Sequence, residues 1–486
     1  MKSTKSSFYF LNLMSLNAQS KRYFIWALLL IPVLTVLLCS TSTYDNGDSI
    51  MHFLISKHAF QHPYLFFDHW GKPLFTLLSS PFSQFGFKGI AVFNGIVIYT
   101  SAVLVYETTF TLYRKYSISI LSAISYLFCT QVLLFVNSGL TEPLFGLFLI
   151  AAAYEVLRHN YAAAAIIISF TPFVRSEGMI IILVYTTFFM LHKQWYKIVL
   201  LFTGLFTYSI LGKLLFSYNI LWFFTKNPYP VVAEKYGSGD SILHYFSQFF
   251  FFSGVPFSIL FILGLVSFIY LKRNAINSII ASQSSILFWI VLAPTGAYFF
   301  SHVLFWHIGC CGAFGIQRVL MSIIPLSSVI ISFGFIMLSH TIKHRTTIRI
   351  VNAVLLIVVI VFPFLNTPSS WNLNKDFELN SIQKTAVALI EEKSQYIQNS
   401  TRKILYSEPY IALLLNIDIY DSKRAATLNN ENINSTDLVI WDSWHSNIEE
   451  NISAEDFRLF FKKNNVIVVD HYDVNDKRKI AYITNF

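Results

Sequence analysis

The sequence predicts a polytopic α-helical membrane protein of about eleven spans followed by a small extracytoplasmic α/β domain. Three observations carry that prediction. Apolar residues make up 55% of the 486-residue chain against 13% charged, with 48 phenylalanines, a balance that an ordinary soluble globule does not reach. The apolar residues gather in runs of the roughly 17 to 25 residues needed to cross about 30 Å of hydrocarbon. After Asn366 the composition turns abruptly to Lys, Glu, Asp and Asn, and no membrane-length run follows. The chain is therefore expected to divide into a membrane region, 1–366, and a soluble domain, 367–486.

The first apolar run, Tyr23 to Ser40, follows Lys2, Lys5, Lys21 and Arg22, which puts the N-terminus in the cytoplasm and the loop from about 41 to 88 outside. No small-residue cleavage site of the A-x-A type follows, which argues against a cleaved signal peptide. Later runs extend from Gly89 to Leu112, Ile118 to Asn137, Pro143 to Leu157, Tyr161 to Val174, Gly178 to His192 and Ile198 to Tyr218. Four more reach from Phe250 to Leu271, Ser285 to Trp306, Val319 to Ser339 and Ile348 to Leu365. With that odd count, Arg114, Lys115, Arg158, Lys193, Lys197, Lys272, Arg273, Lys343, Arg345 and Arg349 all fall on the cytoplasmic side. The formal charge of +9 thus reads as topology, and nucleic acid is not an expected partner. The four cysteines have neither metal-ligand spacing nor the arrangement of a disulfide framework.

In the C-terminal domain, Ser381 to Ile397 has helical apolar spacing, whereas KILYS, DLVIW and NVIVVD are short β-branched or apolar runs bounded by polar turns. An α/β domain on the outer side follows. No internal repeat is evident, in contrast to transporters assembled from inverted halves.

Polar residues concentrate in the first outer loop. Between Thr43 and Phe75 stand three aspartates, four histidines and two lysines, a density that a lipid-solvated chain keeps only where it meets a polar ligand. The other outward polar groups are Thr141 and Glu142 in SGLTEP, Arg175 and Glu177 in FVRSEG, the segment Leu221 to Asp240 with Tyr229, and Trp306 to Arg318. A carboxylate with several cations on one membrane face suits a reaction in which a hydroxyl is deprotonated and an anionic leaving group is stabilised. His52, His58, His62 and His69 raise the question of a metal. His58 and His62 share a helical face, but Pro63 follows and no carboxylate completes a set, so a divalent metal is not indicated.

The first loop, DNGDSIMHFLISKHAF followed by WGKPLF, resembles that of GT-C membrane glycosyltransferases, the group that includes protein O-mannosyltransferases and lipid A aminoarabinose transferases. Asp48 and the Lys72-Pro73 pair occupy the matching positions. Ser49 stands where the O-mannosyltransferases have a second acid, which leaves Asp45 as the near substitute. SGLTEPLFGLFL, FVRSEGMIIIL and FGIQRVLMSIIP are similar to recurring motifs of polyprenyl-dependent sugar transferases.

The resemblance implies inverting transfer of a sugar from a polyprenyl-phosphate donor to a hydroxyl of a glycan, lipid or protein acceptor. No cofactor is specified and dependence on a divalent metal stays open; the resemblance favours the bacterial cytoplasmic membrane, while Asn399, Asn434 and Asn451 stand in N-x-Ser/Thr sequons that an endoplasmic reticulum lumen would also use. Asp48, with Asp45 beside it, is the expected catalytic base. Lys72, Arg175 and Arg318 are expected at the lipid phosphate, with His52, His69, Glu142, Glu177 and Tyr229 lining the substrate. Each has a plainer alternative. Asp48 can cap a helix; Asp45 can shape a turn; Lys72 can snorkel to the interface; Arg175 and Glu177 can pair with each other. A transporter or flippase is the competing function, and it calls for ionisable groups near the midplane of several broken helices.

Overall fold

The computed structural model describes residues 17–45, 47–226, 241–273, 278–311, 313–342, 344–365, 367, 371, 378–379, 383–391, 402–428, 438–443, 445–453, 455, 467–472 and 479–484. Its helices, in chain order, begin with α1 Ala18–Cys39, α2 Asp48–His58, α3 Pro73–Ser83, α4 Phe87–Tyr113 and α5 Tyr116–Leu127. Next come α6 Glu142–Leu157, α7 Tyr161–Ser169, α8 Gly178–Leu191, α9 Trp195–Leu200 and α10 Thr203–Phe216. The membrane region continues with α11 His244–Ser253, α12 Val255–Arg273, α13 Ser278–Leu287, α14 Ala293–Ile308, α15 Ile324–Thr341 and α16 Arg345–Val361. Each of the eleven apolar runs contains at least one helix. Among the described residues, seven helical segments are long and apolar enough to cross a membrane. Those around α5, α7 and α8 are shorter.

Burial sorts the helices by neighbour. The apolar window of the segment Gln317–Thr341 is entirely buried, whereas Ala18–Cys39 and Thr346–Phe364 bury only 22% and 11% of theirs. The latter expose Leu28, Ile31, Leu34 and Leu38, and Ile350, Val354, Ile357 and Val361. Faces of that kind belong against lipid, because water would penalise such large patches. Between α12 and α15 the contact is backbone-close: a Cβ on Gly264 would overlap the Ile330 carbonyl, and Gly334 lies opposite. Small residues at a helix crossing give the van der Waals contact that holds helices together where lipid removes the hydrophobic drive. At the start of α1, Arg22 pairs with the buried Glu107 of α4, which also accepts from Trp26 Nε1 at 3.1 Å.

The C-terminal domain carries a five-stranded sheet: β1 Ile404–Tyr406, β2 Ala425–Thr427, β3 Leu438–Asp442, β4 Ile467–Tyr472 and β5 Lys479–Thr484, in the order β2-β1-β3-β5-β4. β2, β1 and β3 are parallel, and β5 runs antiparallel to both β3 and β4. The strands anticipated at KILYS, DLVIW and NVIVVD are β1, β3 and β4; β2 and β5 are additional. Residues 383–391 form part of the anticipated helix. After β1, helix α17, Pro409–Leu415, leads to a segment that docks on the far end of α2. There Asp418 lies 2.7 Å from His62 Nε2 and 3.5 Å from His58 Nδ1, and Lys57 donates to Asn416. The carboxylate that the sequence did not supply to His58 and His62 thus comes from the other domain, where it ties the two together.

Candidate active site

The first loop folds as two short helices over the membrane region. Gly47 occupies the N-cap of α2, so Asp48 is the first helical residue and its side chain is free of capping duty. Asp45 contributes to the turn, its Oδ1 accepting weakly from Ser49 N at 3.4 Å. Both aspartates converge on Arg318, at the start of the buried segment 317–341: one guanidinium Nη pairs with Asp45 and the other with Asp48. Arg318 is largely enclosed, and Asp48 is the most exposed member of the trio.

From Arg318 the network continues. Its Nε lies 3.6 Å from Glu142 Oε1, on the first turn of α6, where the helix dipole favours a carboxylate. The same Glu142 oxygen lies 2.7 Å from Arg175 Nη1, and Arg175 Nη2 lies 2.8 Å from Glu177 Oε1. His302 of α14 closes the chain, its Nε2 being 3.3 Å from Glu177. Four carboxylates, two arginines and a histidine from five separate segments therefore meet at one place. Gly139 of SGLTEP explains how α6 reaches the first loop: a Cβ there would overlap the Ser49 carbonyl, so only glycine lets the strand of chain before Glu142 lie on the first turn of α2.

The histidines and Lys72 frame the near side. His52 stacks on Trp70 with ring centroids 4.7 Å apart, and His69 packs on Phe223 at 4.9 Å. Burial, with the positive field of Lys72 among others, pushes His52 down to about 3 and His69 down to about 4, so both are neutral imidazoles at neutral pH. Lys72 itself is buried and adopts φ 62°, ψ 94°. A residue before proline is ordinarily confined to negative φ, so this left-handed backbone is a strained feature of the kind that collects at functional sites.

Burial works against ionising the two aspartates, and Arg318 works for it. For Asp48 the arginine prevails and holds the carboxyl below the usual range; for Asp45 burial prevails, aided by the Asp48 charge, and pushes the carboxyl up. Two acids sharing one cation split their affinities in this way. Around them stand buried polar atoms that no group among the described residues satisfies: Ser49 Oγ, His52 Nδ1, Glu142 Oε2, Arg175 Nε and Gln317 Oε1. Such atoms are rare in protein interiors, and their gathering here makes the cluster a candidate site for a polar ligand.

The sequence-selected Asp45, Asp48, Glu142, Arg175, Glu177 and Arg318 are joined in one network, with His52 in their field. Tyr229 lies outside the described residues. His302 was missed, although a lone ionisable residue in the apolar run of α14 was a signal in itself.

Comparison with known proteins gives a single kind of likeness. No protein-family model matches the sequence, and no curated protein matches it. Among solved structures, ArnT from Cupriavidus metallidurans bound to undecaprenyl phosphate superposes with a TM-score of 0.61 at 10% identity, over 96% of this chain and 98% of that one. The same enzyme in the apo state superposes with a TM-score of 0.63 at 8% identity and the same coverage. The chain has the fold of ArnT. The likeness extends over the membrane region and the C-terminal domain alike, and it agrees with the resemblance of the first loop to aminoarabinose transferases.

Proposed function

We propose that the protein is an inverting glycosyltransferase that moves a sugar from a polyprenyl-phosphate donor to an acceptor hydroxyl at the outer membrane face. The observation that carries this reading is the Asp48–Arg318 pair, an ionised carboxylate held by a guanidinium that can also meet a phosphate. The fold likeness to an enzyme crystallised with undecaprenyl phosphate supports the choice of lipid. In the reaction Asp48 takes the proton of the acceptor hydroxyl, whose oxygen bonds to the anomeric carbon. The bond from that carbon to phosphate oxygen breaks, and the lipid phosphate leaves with the electron pair. Phosphate needs its growing charge neutralised more than it needs a proton, and Arg318, Lys72 and Arg175 supply that charge.

The carboxylates outnumber the arginines, so an anionic donor enters against an acidic excess. Two features reduce it: Lys72 adds a cation, and burial pushes the Asp45 carboxyl up, which weakens its hold on a negative charge. Donor phosphate then takes Arg318 from Asp48, whose basicity rises as its counter-ion leaves. The base is thereby weak until the donor has bound, which protects the donor phosphate bond from idle attack by water.

Purified protein in liposomes, given a panel of radiolabelled polyprenyl-phosphate sugars, tests this reading against Asp48→Asn. Wild type is expected to turn over at least one donor, with Asp48→Asn binding lipid phosphate but transferring nothing. Turnover by Asp48→Asn at the wild-type rate rejects the base assignment, and no turnover of any donor by wild type rejects the transferase.

A further inference from the structure

β1 and β3 are parallel neighbours, and α/β sheets present ligands to the carboxyl ends of such strands. Those ends carry Glu408, two residues beyond β1, Asp442, the last residue of β3, and His445 just after it. All three are buried. Glu408 Oε2 lies 2.8 Å from His445 Nδ1, and Asp442 Oδ1 lies 3.8 Å from the same nitrogen. Asp442 is committed to the turn: it accepts from His445 N at 2.7 Å, Ser446 N at 3.3 Å and Ser446 Oγ at 3.0 Å. That commitment makes the cluster a charged pair on a braced turn rather than a set of open metal ligands. Burial opposes a charge on the imidazole, but Asp442 and Glu408 outweigh it and push His445 up to about 11.

The other edge of this imidazole faces the first loop. His445 Nε2 lies 3.3 Å from the point where a Cβ on Gly47 would stand, and Asp45 Oδ1 lies 3.9 Å from that point. Gly47 is the N-cap of α2, between the two aspartates that meet Arg318. The C-terminal domain therefore grips α2 at both ends: His445 at Gly47, and Asn416 and Asp418 at Lys57, His58 and His62, about 16 Å away along an eleven-residue helix. The far grip docks the domain; the near one touches the turn that aims Asp48.

We propose that His445, held by Glu408 and Asp442, is a positioning residue that braces the Asp45–Gly47–Asp48 turn, so that the C-terminal domain completes the catalytic centre. This rests on the transferase reading above. A reacting group misplaced by about 1 Å costs on the order of a hundredfold in rate, so loss of the brace falls on turnover more than on lipid binding.

Two experiments on the full chain in liposomes test it. Gly47→Cys with His445→Cys is treated with a short bifunctional thiol reagent, and the joined peptides are identified by mass spectrometry. A link between positions 47 and 445 is expected, and its absence overturns the proposal. His445→Ala, His445→Gln and Glu408→Gln are then compared with wild type for undecaprenyl phosphate binding and for kcat. The expected result is a kcat lowered roughly tenfold to a hundredfold in His445→Ala, binding within about twofold of wild type, and partial recovery in His445→Gln, which keeps a donor. Unchanged kcat in folded His445→Ala overturns the proposal, as does a parallel loss of binding and kcat that tracks unfolding. Wild type that binds no undecaprenyl phosphate and transfers from no donor removes the transferase itself. In that case a surviving 47–445 link reduces His445 to a docking contact, which also overturns the proposal.

Discussion

Arg318→Lys is the most direct probe of the candidate site because it keeps the charge and removes the fork. In the structure each terminal nitrogen of Arg318 serves a different aspartate, and Nε faces Glu142. A lysine ammonium is a point charge on a flexible stem and holds one of these partners at a time. The loss is at least one charge-assisted hydrogen bond, worth about 1.5–3 kcal/mol. At 1.36 kcal/mol per decade of rate, that corresponds to roughly a 10- to 150-fold fall in kcat/KM for whichever polyprenyl-phosphate sugar wild type prefers. Arg318→Ala is expected to be worse in a different way. It strands Asp45 and Asp48 without their cation, while Glu142 keeps Arg175, and breaking a buried pair costs about 3–5 kcal/mol of stability. The assay is radiolabel transfer in liposomes alongside thermal unfolding of the same preparation. Arg318→Lys that transfers at the wild-type rate refutes the reasoning, because the paired aspartates then do not need a bidentate partner.

Other substitutions separate local effects. Gly139→Ala forces a methyl into the Ser49 carbonyl, so about 1–3 kcal/mol of stability is expected to go with reduced transfer; a denaturant series and the transfer assay read both. His52 is neutral in the fold, so protons bind the unfolded chain first and stability falls as pH drops from about 6.5 toward about 3. His52→Phe, which keeps a ring against Trp70, is expected to flatten that limb in melting temperatures recorded across pH. His445 has the opposite sign: its stabilisation is complete below about 6.5 and is lost as pH rises toward about 11, and Glu408→Gln is expected to move that loss to lower pH.

Apolar run length made the membrane helices legible because hydrocarbon thickness sets the length of a spanning run, although the helices around α5, α7 and α8 fall short of it. The candidate site was legible for a related reason: ionisable residues are so scarce in this chain that each outer cluster stood out. Their partners were not legible. Arg175 was expected to choose between Glu177 and a ligand, yet it bridges Glu177 and Glu142, a residue more than thirty positions away. Nothing local in SGLTEP or FGIQR announces that Glu142 and Arg318 meet, since that depends on α6 and the 317–341 segment crossing. The C-terminal contribution was hidden for the same reason. Asp418 and His445 belong to polar stretches in which one charge resembles another, and only the docking of the sheet singles them out. Strands β2 and β5 escaped because AAT is three residues of weak β preference and KIAYIT begins among charges.

The hand-over of Arg318 from Asp48 to donor phosphate has a kinetic signature. In the donor-free protein Asp48 ionises below the usual carboxylate range, because Arg318 outweighs burial. Once phosphate engages Arg318, burial remains and the counter-ion is shared with a competing phosphodiester anion, so the carboxyl rises. The acid limb of kcat/KM reports the free enzyme, whereas that of kcat reports the donor complex. The limb in kcat is therefore expected at higher pH than the limb in kcat/KM, each being a macroscopic value of the Asp45–Asp48 pair. Arg318→Lys, with its weaker hold on Asp48, is expected to narrow the gap by raising the kcat/KM limb. Coincident limbs in wild type mean that Arg318 stays on the aspartates throughout the cycle. Lys72 and Arg175 would then have to carry the leaving phosphate alone.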